Sequence, residues 1–180
     1  LNGKEMILWV SEICSKAVNI SNVFIATDDK RISDLVIKNG YQSIMTSSDV
    51  LTGTDRVAEA AKKIKSKIFI NVQGDEPTIN PSDIKKIIKA KKKYPNHVIC
   101  GFDKVHKFEN PSSINLPKVV VNSKNELIYI SRAIVPGSKK KSKNTVYHKQ
   151  VCIYGFNKKE INKFYSKNEK SETESIEDIE

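Results

Sequence analysis

No stretch of this chain approaches the roughly 20 consecutive apolar residues that a membrane span requires. The opening LNGKEMILWV lacks a basic region leading into a long apolar core, so it does not read as a signal peptide. Cysteine is scarce: Cys14, Cys100 and Cys152 are odd in number, far apart and set among apolar neighbours. That excludes a disulfide framework and a zinc cluster and leaves buried structural thiols. Acidic residues are in the minority, 21 against 31 basic ones, for a net charge of +10. The densest basic clusters, KAKKKY (89–94) and GSKKKSK (137–143), have no aromatic residues interleaved for base stacking. The lysines are otherwise spread along the chain. A basic chain of this kind suits an anionic small molecule such as a nucleotide better than it suits a nucleic acid. The expectation is a soluble cytoplasmic protein with no membrane or nucleic-acid partner.

What is present is a strand–helix alternation. The 180 residues can build one domain with a substantial core, and a single domain over 1–180 is expected. Met6, Ile7, Val10, Ile13, Cys14 and Ala17 recur at helical spacing, predicting a helix over 4–18. NVFIAT (22–27), YQSIMT (41–46) and IFINVQ (68–73) read as short strands. Between them, a helix capped by Asp28 runs to about Lys38 before Gly40, and another opens at Thr54 or Asp55. A lysine-rich helix follows Pro81 and stops before Pro95. This order predicts an α/β fold: a three-layer α/β/α sandwich on a mainly parallel, Rossmann-like sheet. The second half is richer in strands: 97–102, 118–123, 127–131 and 149–156, with NSKNE (122–126) turning a β-hairpin over 118–131. A helix at about 157–166 and one in TESIEDIE complete the chain. Because the first unit opens on a helix and the chain stops within another, both ends read as cut.

In parallel sheets, ligands gather at the carboxyl ends of the strands. Asp28, Thr46 to Ser48, and Gly74 to Glu76 all follow strand ends. The stretch IFINVQGDEP (68–77) drives an apolar strand into two adjacent carboxylates, which repel each other at the edge of a core. A solvated turn, with Gly74 and Asp75 present for backbone reasons, would resolve this. So would a hard cation on Asp75: Mg²⁺ prefers one or two carboxylates plus phosphates.

LNGKEMI, ATDD (26–29), TGTDRVAEA (52–60), NVQGDEP, NLPKVVVNSKNELIYISRAIVP (115–136), QVCIYGF (150–156) and TESIEDIE together resemble the sugar-acid cytidylyltransferases, specifically the 3-deoxy-manno-octulosonate cytidylyltransferases (CMP-Kdo synthetases). The matches run in order over nearly the whole chain. The resemblance implies a nucleotide-diphospho-sugar transferase fold and transfer of CMP from CTP to the anomeric hydroxyl of the sugar acid, releasing pyrophosphate. It also implies Mg²⁺ as cofactor and a homodimer formed through the hairpin half. It gives Asp75 the metal and Gln73 a nucleotide contact. Gly53, Thr54 and Arg56 would meet the cytidine end. Arg132, Gln150, Tyr154, Glu174 and Glu177 would lie on the sugar-acid side.

Each assignment has a bland counterpart. Arg56 can be a solvated helix residue pairing with Glu59. Arg132 can be a hairpin-end charge, and Tyr154 a core tyrosine. Glu174 and Glu177 can be a solvated acidic terminus. Gln150 stands where the family pattern has His. The family's basic, glycine-containing triphosphate loop lies upstream of the NGK segment, and its second metal-binding Asp lies downstream of residue 180. The 180 residues alone are therefore expected to be inactive. Two other readings stay open: a cytidylyltransferase for another sugar acid (an amino-Kdo or a nonulosonate), and a non-catalytic basic nucleotide- or nucleic-acid-binding module. The lysine-rich 136–144 segment follows Arg132 and is expected to order over an anionic sugar. Hydrogen exchange on the complete protein, with and without CTP and sugar acid, should show added protection there; equal protection in both states would remove the lid.

Overall fold

The computed structural model describes residues 1–139, 145–167 and 169–179. Most of the expected 136–144 lid thus lies outside the described residues. The chain forms two compact units. The first comprises 1–99 and 152–169, the second 100–151 and 170–180.

In the first unit, α1 (Met6–Ala17) leads through a 3-10 turn into β1 (Phe24–Thr27), followed by α2 (Lys30–Lys38), β2 (Gln42–Met45), α3 (Gly53–Lys63), β3 (Ile68–Val72) and α4 (Pro81–Lys93). The chain returns to this unit in the second half of β7 (His148–Asn157) and in α5 (Lys158–Tyr165). β1 and β2 run parallel, Phe24 opposite Gln42 and Thr27 opposite Met45. β3 pairs antiparallel with β7, Ile68 opposite Asn157 and Val72 opposite Ile153. The α/β class holds, with the expected parallel pair between the first two strands. β1 and β2 form a sheet of their own, and the pairs that β7 makes with β3 and β5, in the other sheet, are antiparallel, where a mainly parallel sheet was expected.

Cap chemistry corrects two helix starts. Asp29, not Asp28, caps α2, accepting from the Arg31 amide at 2.8 Å. Thr52, not Thr54 or Asp55, caps α3, accepting from the Asp55 amide. In both cases several candidate capping residues lie close together, and Asp29 and Thr52 are the ones that combine extended backbone with a side-chain oxygen accepting a first-turn amide. Gly40 does end the second unit of the alternation, with φ +83 after α2.

Leu8, Val23, Ile25 and Val36 form a core beneath α1, α2 and β1, with Cys14 packed against it. Burial pushes the Cys14 and Cys100 thiols up to about 11. They stay protonated and unreactive at neutral pH. On α3, Ala58, Ala60 and Ala61 are buried, and that helix lies close to α5, β1 and β3. On α4, Ile84, Ile87 and Lys91 recur at helical spacing on the buried face. Ile87 is so near β7 that a Cβ at Gly155 would stand 3.2 Å from its Cγ2, so Gly155 is the residue that admits α4.

In the second unit, β5 (Lys118–Val121) and β6 (Leu127–Ser131) form the expected antiparallel hairpin. β5 also pairs with the start of β7, Val119 opposite His148. β4 (Ile99–Lys104) pairs with β7 as well. α6 (Glu172–Glu177) completes the unit with a capping box between Ser171 and Glu174.

Lys91 has no solvent exposure. Its ammonium donates to the carbonyls of Pro95 (3.1 Å) and His97 (2.7 Å) and to Glu160 Oε2 at 2.5 Å. Glu160 Oε2 also accepts the Asn157 amide and so closes the capping box of α5. This one ion pair fastens the end of α4 to the start of α5. Glu160→Ala should cost about 3–5 kcal/mol by stranding a buried charge, whereas Lys91→Met, which removes charge and keeps length, should cost clearly less. Chemical denaturation of the two variants checks this.

Candidate functional site

The first unit gathers one cluster of expected site residues. β1 delivers Asp28, β2 delivers Thr46 and Ser47, and the first turns of α3 deliver Thr54 and Arg56. Arg56 Nη1 donates to Thr46 Oγ1 at 2.7 Å and to the Ser47 carbonyl at 3.4 Å, and stands 3.2 Å from Asp28 Oδ1. One end of the guanidinium therefore ties together the carboxyl ends of two parallel strands. Among the described residues no hydrogen bond or ion pair is made by its Nε and Nη2 donors. That leaves a fork suited to two adjacent acceptors. The pairing with Glu59 considered from sequence is not made. Glu59 instead accepts the Ser47 amide on both carboxylate oxygens, at 3.1 and 3.0 Å. Sequence order gave Glu59 and Thr46 no such role; the only signal was their place at a strand end or one turn along α3.

β3 joins the same cluster. Asn71 is buried, and its Nδ2 lies 3.4 Å from Thr54 Oγ1. This binds the first turn of α3 to β3 just before Gln73, so the TGTDR and NVQGDEP segments adjoin. Asp75 is exposed beyond the strand. Among the described residues nothing pairs with it, and no group of three or more His, Cys, Asp or Glu could hold a metal. The donor set is thus one hard, uncommitted carboxylate at a strand end. That fits Mg²⁺ completed by phosphate oxygens and water, and does not fit a cation held by protein alone. Asp75's neighbour Glu76 turns the chain, its amide donating to the Gln73 carbonyl. Tyr154 also belongs to this unit, opposite Asn71 on β7, with its ring buried against Phe156 at 6.2 Å.

The second unit gathers another cluster. Arg132, after β6, donates its amide to Glu177 Oε2 at 2.8 Å. Its guanidinium is spread over three carbonyls: Glu177, Asp178 (2.8 Å) and Ile114 (2.8 Å). Glu177 Oε1 accepts from Ser131 Oγ at 2.6 Å and from the Tyr129 hydroxyl. Glu174 is engaged in the capping box of α6. Gln150 lies on β7, its amide donating to the Pro117 carbonyl. Beneath this, Lys118 is fully buried and donates to the Ser113 and Arg132 carbonyls. Burial lowers its pKa, and the neighbouring Arg132 charge lowers it further.

A family model described as cytidylyltransferase matches residues 1–180. The chain belongs to the cytidylyltransferase family. It is 33% identical to the 3-deoxy-manno-octulosonate cytidylyltransferase of Escherichia coli, over 99% of this chain and 72% of that protein. It is 34% identical to the 8-amino-3,8-dideoxy-manno-octulosonate cytidylyltransferase of Shewanella baltica strain OS195, over 91% of this chain and 69% of that protein. A solved CMP:2-keto-3-deoxy-manno-octonic acid synthetase complexed with CTP superposes with a TM-score of 0.88 at 32% identity, covering 98% of this chain and 73% of that one. Among the described residues no helix is long and apolar enough to cross a membrane.

The Ser131 hydroxyl and Arg132 amide hold the Glu177 carboxyl below its ordinary value of 4.5. A depressed folded-state pKa means that its contribution is present above the ordinary value and is lost as pH falls through the folded one. The protection of the α6 amides, their exchange rate taken relative to an unstructured chain at the same pH, should therefore fall once pH drops below the ordinary glutamate range. In Glu177→Gln it should already be low at neutral pH.

Proposed function

We propose that the protein transfers CMP from CTP to a 3-deoxy-manno-octulosonate-like sugar acid. The anomeric hydroxyl attacks the α-phosphorus, a new P–O bond forms, and the bond to pyrophosphate breaks in line. The observation that carries this reading is the meeting of TGTDR and NVQGDEP through Asn71 and Thr54. It joins the segment that carries the Arg56 fork to the strand that leads into the uncommitted Asp75, in a chain similar to a synthetase solved with CTP. Cytosine offers adjacent acceptors at O2 and N3, which an arginine fork can address together, whereas uracil presents N–H at the second position. Arg56 is proposed to read that edge, with Gly53 and Thr54 supporting the turn and Gln73 contacting the nucleotide. Asp75 would hold Mg²⁺, which supplies charge neutralisation at the phosphates. The remaining contribution of the chain is positioning and exclusion of alternative geometries.

On the sugar-acid side we propose Arg132, Gln150, Tyr154, Glu174 and Glu177. Two related acceptors are in view, differing by an amino group in place of a hydroxyl, because relatives named for each match this chain about equally well. Assaying CTP with both sugar acids separates them. A homodimer is proposed through β6, the outer strand in the order β3-β7-β5-β6. Its Leu127, Ile128 and Tyr129 are all exposed, apolar surface of the kind that subunit contacts cover.

In the full-length protein, Asp75→Asn keeps size and removes charge, so folding should survive. Pyrophosphate release at saturating Mg²⁺ should fall at least about a hundredfold, since each 1.4 kcal/mol of lost transition-state stabilisation is tenfold. Glu76→Gln should cost much less. An unchanged rate in Asp75→Asn would reduce NVQGDEP to a turn.

A further inference from the structure

Two adjacent acids follow β1, and the structure separates their work. Asp29 is spent locally. It caps α2 and grips Arg31 through both carboxylate oxygens, which lowers its pKa to about 2. Asp28 turns the other way and faces Arg56 of α3, 28 residues on, at 3.2 Å. Neither the capping of α2 nor the pairing of β1 with β2 uses the Asp28 side chain. The Arg56 side chain is 23% exposed and that of Asp28 is 37% exposed, so the pair lies at the surface end of the strands rather than in the core.

We infer that Asp28 is a positioning residue for nucleotide selection: with Thr46 it fixes the Nη1 end of Arg56, so that the Nε and Nη2 donors face outward in one orientation. This rests on the reading of Arg56 as the cytidine contact and adds a residue to it. A free arginine has several rotatable bonds, and a ligand that orders it must offset that entropy. Held at one end by a carboxylate, a hydroxyl and a carbonyl, the guanidinium is ordered before the nucleotide arrives. A partly exposed ion pair contributes little to folding, so the reason for Asp28 lies in the ligand rather than in stability.

The test is steady-state kinetics and calorimetric CTP binding on the purified full-length protein, with its triphosphate loop and second metal-binding Asp present. Asp28→Asn should raise KM and Kd for CTP about tenfold, the scale of one charge-assisted hydrogen bond, with kcat and the KM of the sugar acid within about twofold. Its thermal midpoint should stay within about 3 °C of the parent. Thr46→Val, which removes the hydroxyl acceptor at constant shape, should shift CTP affinity in the same direction. Asp29→Asn, which keeps a good capping residue, should leave CTP kinetics unchanged. Arg56→Lys should raise KM for CTP on its own, and adding Asp28→Asn to it should raise KM no further. If Arg56→Lys weakens CTP but Asp28→Asn does not, the positioning role is overturned and the reading of Arg56 stands. If Arg56→Lys leaves CTP affinity unchanged, both fall together.

Discussion

The alanine face of α3 is the constraint on which the site depends. Ala58 and Ala61 have no exposure at all, which lets the helix backbone pack closely against its neighbours α5, β1 and β3. A larger side chain at either position would lift the helix by more than the few tenths of an ångström that a hydrogen bond tolerates. Everything polar at the strand ends is measured from that seat. Thr54 meets Asn71, Arg56 reaches Asp28 and Thr46, and Glu59 holds the Ser47 amide because α3 has no freedom to stand off. The same logic of missing side chains admits α4, where Gly155 leaves room for Ile87.

Adjacent carboxylates occur after β1 and again after β3, and the chain treats the two pairs differently. At 28–29 both acids have partners: one a helix cap and Arg31, the other Arg56. At 75–76 the turn is made by backbone, and Asp75 is left without a partner among the described residues. Exposure is what makes this tolerable in the absence of a ligand. A solvated carboxylate costs little, whereas a buried one would have shifted or paired. An unpaired acid after β3 is therefore informative by contrast with the engaged Asp28 and Asp29 after β1, more than by its own geometry.

Elements with strong period or composition were legible in the sequence. The hairpin strand 127–131 and the helix after Pro81 fall where their residues place them, because β-branched runs and an N1 proline act locally. Choices between neighbours were not legible. Asp28 and Asp29 offer the same side chain one residue apart, and only the fold shows that Asp29 accepts the Arg31 amide while Asp28 faces Arg56. Tyr154 is a comparable case: CIYGF alternates faces, and its burial against Phe156 depends on which face meets the core. The direction of β7 was also hidden. Its partners β3 and β5 lie about eighty and thirty residues upstream, and strand pairing at such separation leaves no local mark. The contacts of Glu177 with Ser131 and Arg132 span 46 and 45 residues, so they too could only be seen once folded.

The basic excess of the chain reads differently once two of its lysines are placed. Lys91 sits in the densest lysine run, KAKKKY, yet its ammonium is enclosed by two carbonyls and Glu160. Lys118 is enclosed by the Ser113 and Arg132 carbonyls. Both lysines act as cross-links between the end of one element and the start of another, a task that suits a long stem with three donors at its tip. Arg132 does similar work on the carbonyls of Glu177, Asp178 and Ile114. Cations thus serve as fasteners for carbonyl ends in both units, and net charge by itself gives no measure of what the surface offers a polyanion. The fork of Arg56 stands apart from these fasteners, because there one end is fixed by protein and the other is not.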